Sequence, residues 1–317
     1  MRAAAIALIL SSAMPVMAED FLLVQPIDCI LGKTCFIQQY VDRDPGPQAF
    51  DFTCGSLSYD GHKGTDFALH DLEAMQAGVD VLAAATGVVT GLRDAEPDTG
   101  LTNAAPGKDC GNGVVLSHQD GWVTQYCHLK QGSIAVNMGQ TLAAGDVIGR
   151  VGLSGRTQFP HVHISVRHNG NVVDPFNPDA QDGCGNDNRN TLWSQDIAYQ
   201  PGGLISLGIT DAVPLFEDIK SGHVADIAPT VETAALVLYA HLFGTRAGDV
   251  LKIRLDGPTG PVFAHDVALD KTQARSFRAI GQKRSQAGWA TGTYTGTALL
   301  WRNQQPVSDI DLNFRVR

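Results

Sequence analysis

The sequence predicts a mainly β protein in two parts: an antiparallel-sheet unit over residues 51–180 and a small β-sandwich-like unit over residues 204–317. Three observations carry this. The apolar residues between 79 and 168 fall in short, β-branched runs broken by glycine, "VDVLAAATGVVTGL", "GVVLSH", "WVTQYCHL", "VIGRVG" and "HVHISVRH", the pattern of short strands joined by turns. A polar, glycine-containing run at residues 179–203 then interrupts them and places a linker at 181–203. After it, "TAALVLYAHLFG", "DVLKIRLDGPTGPVFAHDVAL" and "GTYTGTALLWRNQQPVSDIDLNFRV" repeat strand and turn at regular spacing, which fits a β-sandwich better than a helical module. At 317 residues the chain exceeds the usual domain size of about 100–200 residues, so two domains are expected.

Taken in order, the chain opens with Arg2, an apolar run from Ala3 to Leu10, and small residues ending at Val16-Met17-Ala18. That run is shorter than the roughly 20 residues a spanning helix needs, so residues 1–18 read as a secretory signal peptide and the mature chain as periplasmic or secreted. Residues 19–50, with Pro26, Pro45 and Pro47, read as a loop-rich lead-in. Within the first unit, "RDAEPDTGLTNAAPGKDCGNG" at 93–113 is a long loop expected to border a cleft. Export makes disulfides the expectation for Cys29, Cys35, Cys54, Cys110, Cys127 and Cys184. Fifteen pairings are open. Cys29 with Cys35 is the shortest closure, Cys110 with Cys127 joins the sides of the hairpin turning near Gly121, and Cys54 then pairs with Cys184. The net charge of -10 gives no basic patch for nucleic acid and argues against adhesion to anionic polymers. No hydrophobic stretch beyond the signal approaches membrane-spanning length. Tyr294 and Trp301 in the second unit read as packing residues rather than a sugar-binding platform.

The chemistry concentrates in His62-Lys63-Gly64-Thr65-Asp66 and His161-Val162-His163. A catalytic zinc takes three protein ligands and keeps one position open, and His62, Asp66 and His163 supply three. In an extended strand, residues two or four apart share a face, which aligns His62 with Asp66 and His161 with His163. Gly64 allows close approach of the backbone. Cys127, next to His128, is expected to face away from the site. His118, ahead of an Asp120-Gly121 turn, is expected to point to solvent. His70, His168, His223, His241 and His265 have no partner at ligand spacing. No His-Glu-x-x-His segment or Cys-x-x-Cys pair is present, and Ser154 in "GLSGR" is not a nucleophile elbow.

The two motifs, with "GNGVVLSHQDGWVTQYCHL", "GQTLAAGDVIGRVGLSG" and "FPHVHISVRHNGNVVDPF" in the same order, resemble the lysostaphin and LytM family of zinc metallopeptidases over roughly residues 55–178. The resemblance implies a LytM-type catalytic domain, a duplicated hybrid motif fold, one Zn2+ held by His62, Asp66 and His163, and catalytic roles for His128 and His161. Cys127 departs from the family, which more often has a small residue there. The implied substrate is peptidoglycan peptide, hydrolysed by zinc-activated water in wall remodelling. The alternative is a non-catalytic LytM-type module that activates a wall amidase, and retention of all five site residues argues against it. The second unit is expected to stand apart from the chemistry, positioning the enzyme on its polymer or on an envelope protein partner.

Overall fold

The computed structural model describes residues 20–103, 105–179, 183–185, 190–224 and 227–317. The signal peptide expected at residues 1–18 lies outside them. In chain order the strands of the first unit are β1 (Cys35–Gln39), β2 (Thr65–Leu69), β3 (Asp80–Leu82), β4 (Gly87–Arg93), β5 (Asn112–Ser117), β6 (Trp122–Leu129), β7 (Thr141–Leu142), β8 (Val147–Arg150), β9 (His161–His168) and β10 (Asn171–Val173). One sheet runs β1-β2-β9-β6-β5-β4-β7, with β10 paired to β9 and β3 paired to β8 in a separate ribbon. Every pairing is antiparallel. The β9–β10 hairpin turns on Asn169 and Gly170, both at positive φ, the arrangement whose twist matches that of the flanking strands. A short α-helix, α1 (Leu72–Ala77), follows β2, its first turn capped by the Asp71 carboxylate accepting from the Ala74 amide at 2.8 Å.

The polar runs on either side are more deeply built in than their composition suggests. The lead-in contributes β1, all five of whose residues are buried, together with the core side chains of Leu23, Ile27 and Tyr40. Beyond Cys184, Trp193 enters the same core, and the Leu23 amide donates to the Leu192 carbonyl at 2.7 Å. Apolar residues spaced too widely to show a period still close a core when the chain returns to them. The three disulfides are Cys29–Cys35, Cys54–Cys184 and Cys110–Cys127, with no free cysteine among the described residues.

The second unit is a sandwich of two antiparallel sheets. Its strands are β11 (Gly203–Thr210), β12 (Ala235–Thr245), β13 (Val250–Gly257), β14 (Gly260–Ala268), β15 (Gln273–Lys283), β16 (Gly292–Arg302) and β17 (Gln305–Val316), with α2 (Phe216–Ser221) between β11 and β12. Sheets β11-β12-β15 and β14-β13-β16-β17 enclose a core that includes Leu238, Leu242, Ile253 and Leu300. Tyr294 is buried and stacks on Phe314, while Lys252 lies over the Trp301 ring at 4.2 Å. Both are packing residues, as the sequence suggested. No helix among the described residues is long and apolar enough to cross a membrane.

The second unit packs directly against the first sheet. Ile205 and Phe243 pack on Phe36 and Ala68 of the first sheet, with the Phe36 and Phe243 rings 4.3 Å apart. Arg275 of β15 donates to Gln38 Oε1 at 3.1 Å and to the Leu69 carbonyl at 3.0 Å, and the Gln38 amide donates to the Ala274 carbonyl at 2.8 Å. The Arg275 guanidinium also lies over the rings of Phe36 and Phe159, at 5.3 and 4.6 Å. Burial pushes its pKa down to about 9, so the charge is held by ring faces and carbonyl groups rather than by a salt bridge.

Asp174, after β10, is fully buried; its Oδ1 accepts from the Phe176 amide at 2.9 Å while Oδ2 has no partner. Burial pushes its carboxyl up to about 6. A carboxyl raised on folding adds stability that is fully present below its unfolded value, near 4, and lost as pH rises through about 6. Asp174→Asn is therefore expected to gain stability relative to the unaltered protein between pH 4 and 7, by about 1–3 kcal/mol at pH 7. Urea unfolding at several pH values checks this. A difference independent of pH would exclude Asp174 as the titrating group.

Candidate metal centre

The site lies on one face of the main sheet. Asp66 of β2 pairs directly with His163 of β9, and His163 pairs with Cys127 of β6. His161 lies two residues before His163 on β9, on the same face. His62 is not on a strand; it sits in the turn before β2, where its amide donates to the Tyr59 carbonyl at 3.0 Å. The spacing between His62 and Asp66 therefore works through a turn rather than through strand alternation. Gly64 is required for a steric reason, because a Cβ there would lie 2.5–2.6 Å from the Ile164 carbonyl and the His163 ring.

The three predicted ligands come together. His62 Nε2 is 3.2 Å from Asp66 Oδ1 and 3.1 Å from His163 Nδ1, and His163 Nδ1 is 2.8 Å from Asp66 Oδ1. His161 Nε2 is 3.4 Å from the same carboxylate oxygen. Backbone carbonyls fix the tautomers: His62 Nδ1 donates to Tyr40 at 2.7 Å, His128 Nδ1 to Ser154 at 2.8 Å and His161 Nδ1 to Phe159 at 2.9 Å. Each of these rings then presents Nε2 without a proton when neutral. Several lone pairs converge on one carboxylate oxygen, an arrangement relieved only by a proton or a cation. Ligands about 2.0–2.2 Å from a tetrahedral metal stand about 3.3 Å from one another. The triangle of His62, Asp66 and His163 has nearly those edges, so its donor set fits a divalent cation.

Charge in the site follows from this packing. Burial works to raise the Asp66 carboxyl, but the adjacent His62 and His161 rings and the hydrogen bonds from His161 and His163 hold it well below the usual carboxylate range. Burial, reinforced by His161 and His163, drives His128 well below the usual histidine range. Burial also lowers His163 against the pull of Asp66. For His62 the opposite holds: burial is outweighed by Asp66 and the ring is raised.

His128 and His161 stand beside the triangle with ring centroids 4.7 Å apart, and His128 lies 6.1 Å from His163. His128 has φ of 64°, a left-handed conformation that breaks alternation at the end of β6. Cys127, expected to face away, therefore lines the same cleft as His128 and His163. Its sulfur is committed to Cys110 and is not a ligand. Ser154, read as a turn residue, also buttresses the site: its hydroxyl donates to the Leu129 carbonyl and accepts from the Asn112 amide, while its carbonyl holds His128. His118 is not free in solvent as expected, since it bonds the Thr86 carbonyl and Thr124 Oγ1 at 2.7 and 2.8 Å, outside the cleft. Sequence reading missed Tyr59, whose ring packs 4.5 Å from that of His62. It also missed the carbonyl acceptors, which carry no side-chain signal. The cleft, of about 1020 Å3, is bordered by Leu101, Asp109 and Cys110 of the long loop, as anticipated.

Residues 60–175 match the model of Peptidase family M23. The cell division protein DipM of Caulobacter vibrioides is 40% identical over 68 residues, 22% of this chain and 11% of that protein. The DD-carboxypeptidase/endopeptidase Mpg of Neisseria meningitidis is 42% identical over 65 residues, 20% of this chain and 14% of that protein. The peptidoglycan DD-endopeptidase ShyA of Vibrio cholerae is 34% identical over 112 residues, 35% of this chain and 21% of that protein. The matched stretches thus span between about a tenth and a fifth of these relatives. The resemblance to lysostaphin and LytM peptidases is thus matched by a family model over residues 60–175, a stretch that contains all five site residues.

Proposed function

We propose that the protein is an exported zinc endopeptidase that hydrolyses peptide bonds in peptidoglycan stems or cross-links. The observation that carries this reading is the triangle of His62 Nε2, Asp66 Oδ1 and His163 Nδ1, set in an open cleft with two further histidines whose Nδ1 atoms are already committed. In this reading the three residues hold Zn2+, residues 1–18 direct export, and residues 51–180 are the catalytic unit.

Zinc, when bound, supplies Lewis acidity that polarises a peptide carbonyl and makes a water acidic near neutral pH. The chain's own residues do the rest. His128, held neutral by burial and by the neighbouring His161 and His163 and oriented by its bond to the Ser154 carbonyl, offers Nε2 as the atom that accepts the attacking water's proton. His161, fixed by Phe159, presents its Nε2 beside Asp66, where as a neutral ring it orients the nucleophile by accepting from it and, once protonated, donates to the developing oxyanion. The accepted proton then passes to the leaving amine as the carbon–nitrogen bond breaks. The low position of Asp66 keeps it anionic, which offsets the positive charge gathered there.

Metal content of the purified full-length protein, followed by digestion of purified peptidoglycan and mass spectrometry of the new termini, tests the reading. About one zinc per chain and new amino and carboxyl termini in the peptides are expected. A zinc-free protein that leaves peptidoglycan intact would instead favour the non-catalytic module.

A further inference from the structure

The rung of the sheet that holds Asp66 and His163 extends one strand further. Gln39 of β1 pairs directly with Asp66, so Gln39, Asp66, His163 and Cys127 lie side by side across four strands and face the same cleft. Gln39 is 8% exposed, yet its Oε1 has no hydrogen-bond partner. An unpaired buried amide oxygen is destabilising, and at a ligand-facing position it marks a place where the partner arrives from outside. Immediately before it, Gln38 is bound to the Ala274 carbonyl and to Arg275, which anchors the start of β15 at this end of the cleft. Thr245, Thr272 and Gln273 of the second unit line the cleft with Gln39. None of these four side chains is charged, and all can hydrogen-bond.

We propose that Gln39, with the Thr272–Ala274 wall contributed by the second unit, forms a subsite that binds the backbone amide groups of the substrate peptide beside the catalytic histidines. This rests on the endopeptidase reading above and adds to it the residue that holds the substrate's main chain. A primary amide matches a peptide group in both donor and acceptor, so it recognises extended backbone irrespective of side chain. Gln39 contacts the substrate's main chain and, lying beside Asp66, is not among the groups that move protons. Its contribution is to ground-state binding and falls on KM.

The test uses full-length protein and disaccharide-peptide dimers released from purified peptidoglycan by a muramidase. Gln39→Met keeps the volume and removes the amide. It is expected to raise KM about tenfold with kcat within about threefold, and Gln273→Ala to raise KM severalfold. In a His128→Ala background the Kd for the same dimer, by calorimetry, is expected to weaken in parallel. Because Oε1 is unpaired in the free protein, Gln39→Met is expected to unfold no earlier than the unaltered chain. An earlier unfolding midpoint would mean that the amide is structural and overturn the proposal. Unchanged KM and Kd in either variant, or a loss carried by kcat alone, would also overturn it. Failure of the endopeptidase reading appears differently, as an unaltered protein that binds the dimer in a Gln39-dependent way but does not cleave it; no binding at all overturns both.

Discussion

Alanine at His62, Asp66 or His163 is expected to remove bound metal and reduce peptide hydrolysis to the detection limit. Alanine at His128 or His161 is expected to keep the metal and lose about 10²–10⁴ in kcat. The two groups differ in where their donor atoms lie: His62 Nε2, Asp66 Oδ1 and His163 Nδ1 form a triangle with edges of 2.8–3.2 Å, and His128 stands outside it. His161 gives the more exacting case, because its Nε2 is 3.4 Å from Asp66 Oδ1. Metal content by mass spectrometry and kcat on the muropeptide dimer, measured on the same preparations, check the division. His161→Ala losing metal as completely as His163→Ala would move it into the ligand set.

Ending the chain at Gly202 is expected to produce a protein that unfolds early and hydrolyses soluble peptide poorly. Removing the second unit exposes Phe36 and Ala68, frees Gln38, and strips Arg275 from the ring of Phe159, whose carbonyl fixes His161. Burying a large apolar side chain is worth about 1.5–3 kcal/mol. Losing this patch therefore corresponds to a midpoint lower by about 10 °C or more for a unit of this size. Differential scanning calorimetry and the dimer assay on both proteins decide it. A truncated chain with the full-length midpoint and rate would show that the second unit serves only to bring the enzyme to its polymer.

Much of this site was legible because its residues sit in short motifs whose spacing has a chemical meaning. His62, Asp66 and the His161–His163 pair stand at fixed intervals in which an uncommon residue, histidine, recurs, and the β-branched runs around them show their period locally. Strand alternation, however, gave the wrong local picture at two positions. His62 acts from a turn, and the positive φ of His128 defeats the alternation that was expected to turn Cys127 away. Gln39 and Arg275 were not legible at all. Gln39 matters because β1 pairs with β2, which brings it beside Asp66. Arg275 matters because β15 docks on a strand more than 230 residues earlier, where it meets Gln38. Such meetings are decided by register and packing across the whole chain, and a glutamine or arginine in a strand has the same appearance wherever it lands. The lead-in and the polar run after residue 179 were under-read for the same reason: Leu23, Tyr40 and Trp193 are isolated in sequence and share one core in space.

The bond between Cys54 and Cys184 spans 130 residues and closes a covalent ring around His62, Asp66, His128, His161 and His163. That ring changes what a break in the backbone means. A single backbone cut inside it leaves two pieces that cannot diffuse apart, so the nicked chain can re-form its sheet as an intramolecular event. Limiting the freedom of so long a loop when the chain opens is worth about 5 kcal/mol in the chain-entropy account, which favours closing again over further degradation. Durability is thus written into the connectivity of the first unit, independently of what its cleft binds.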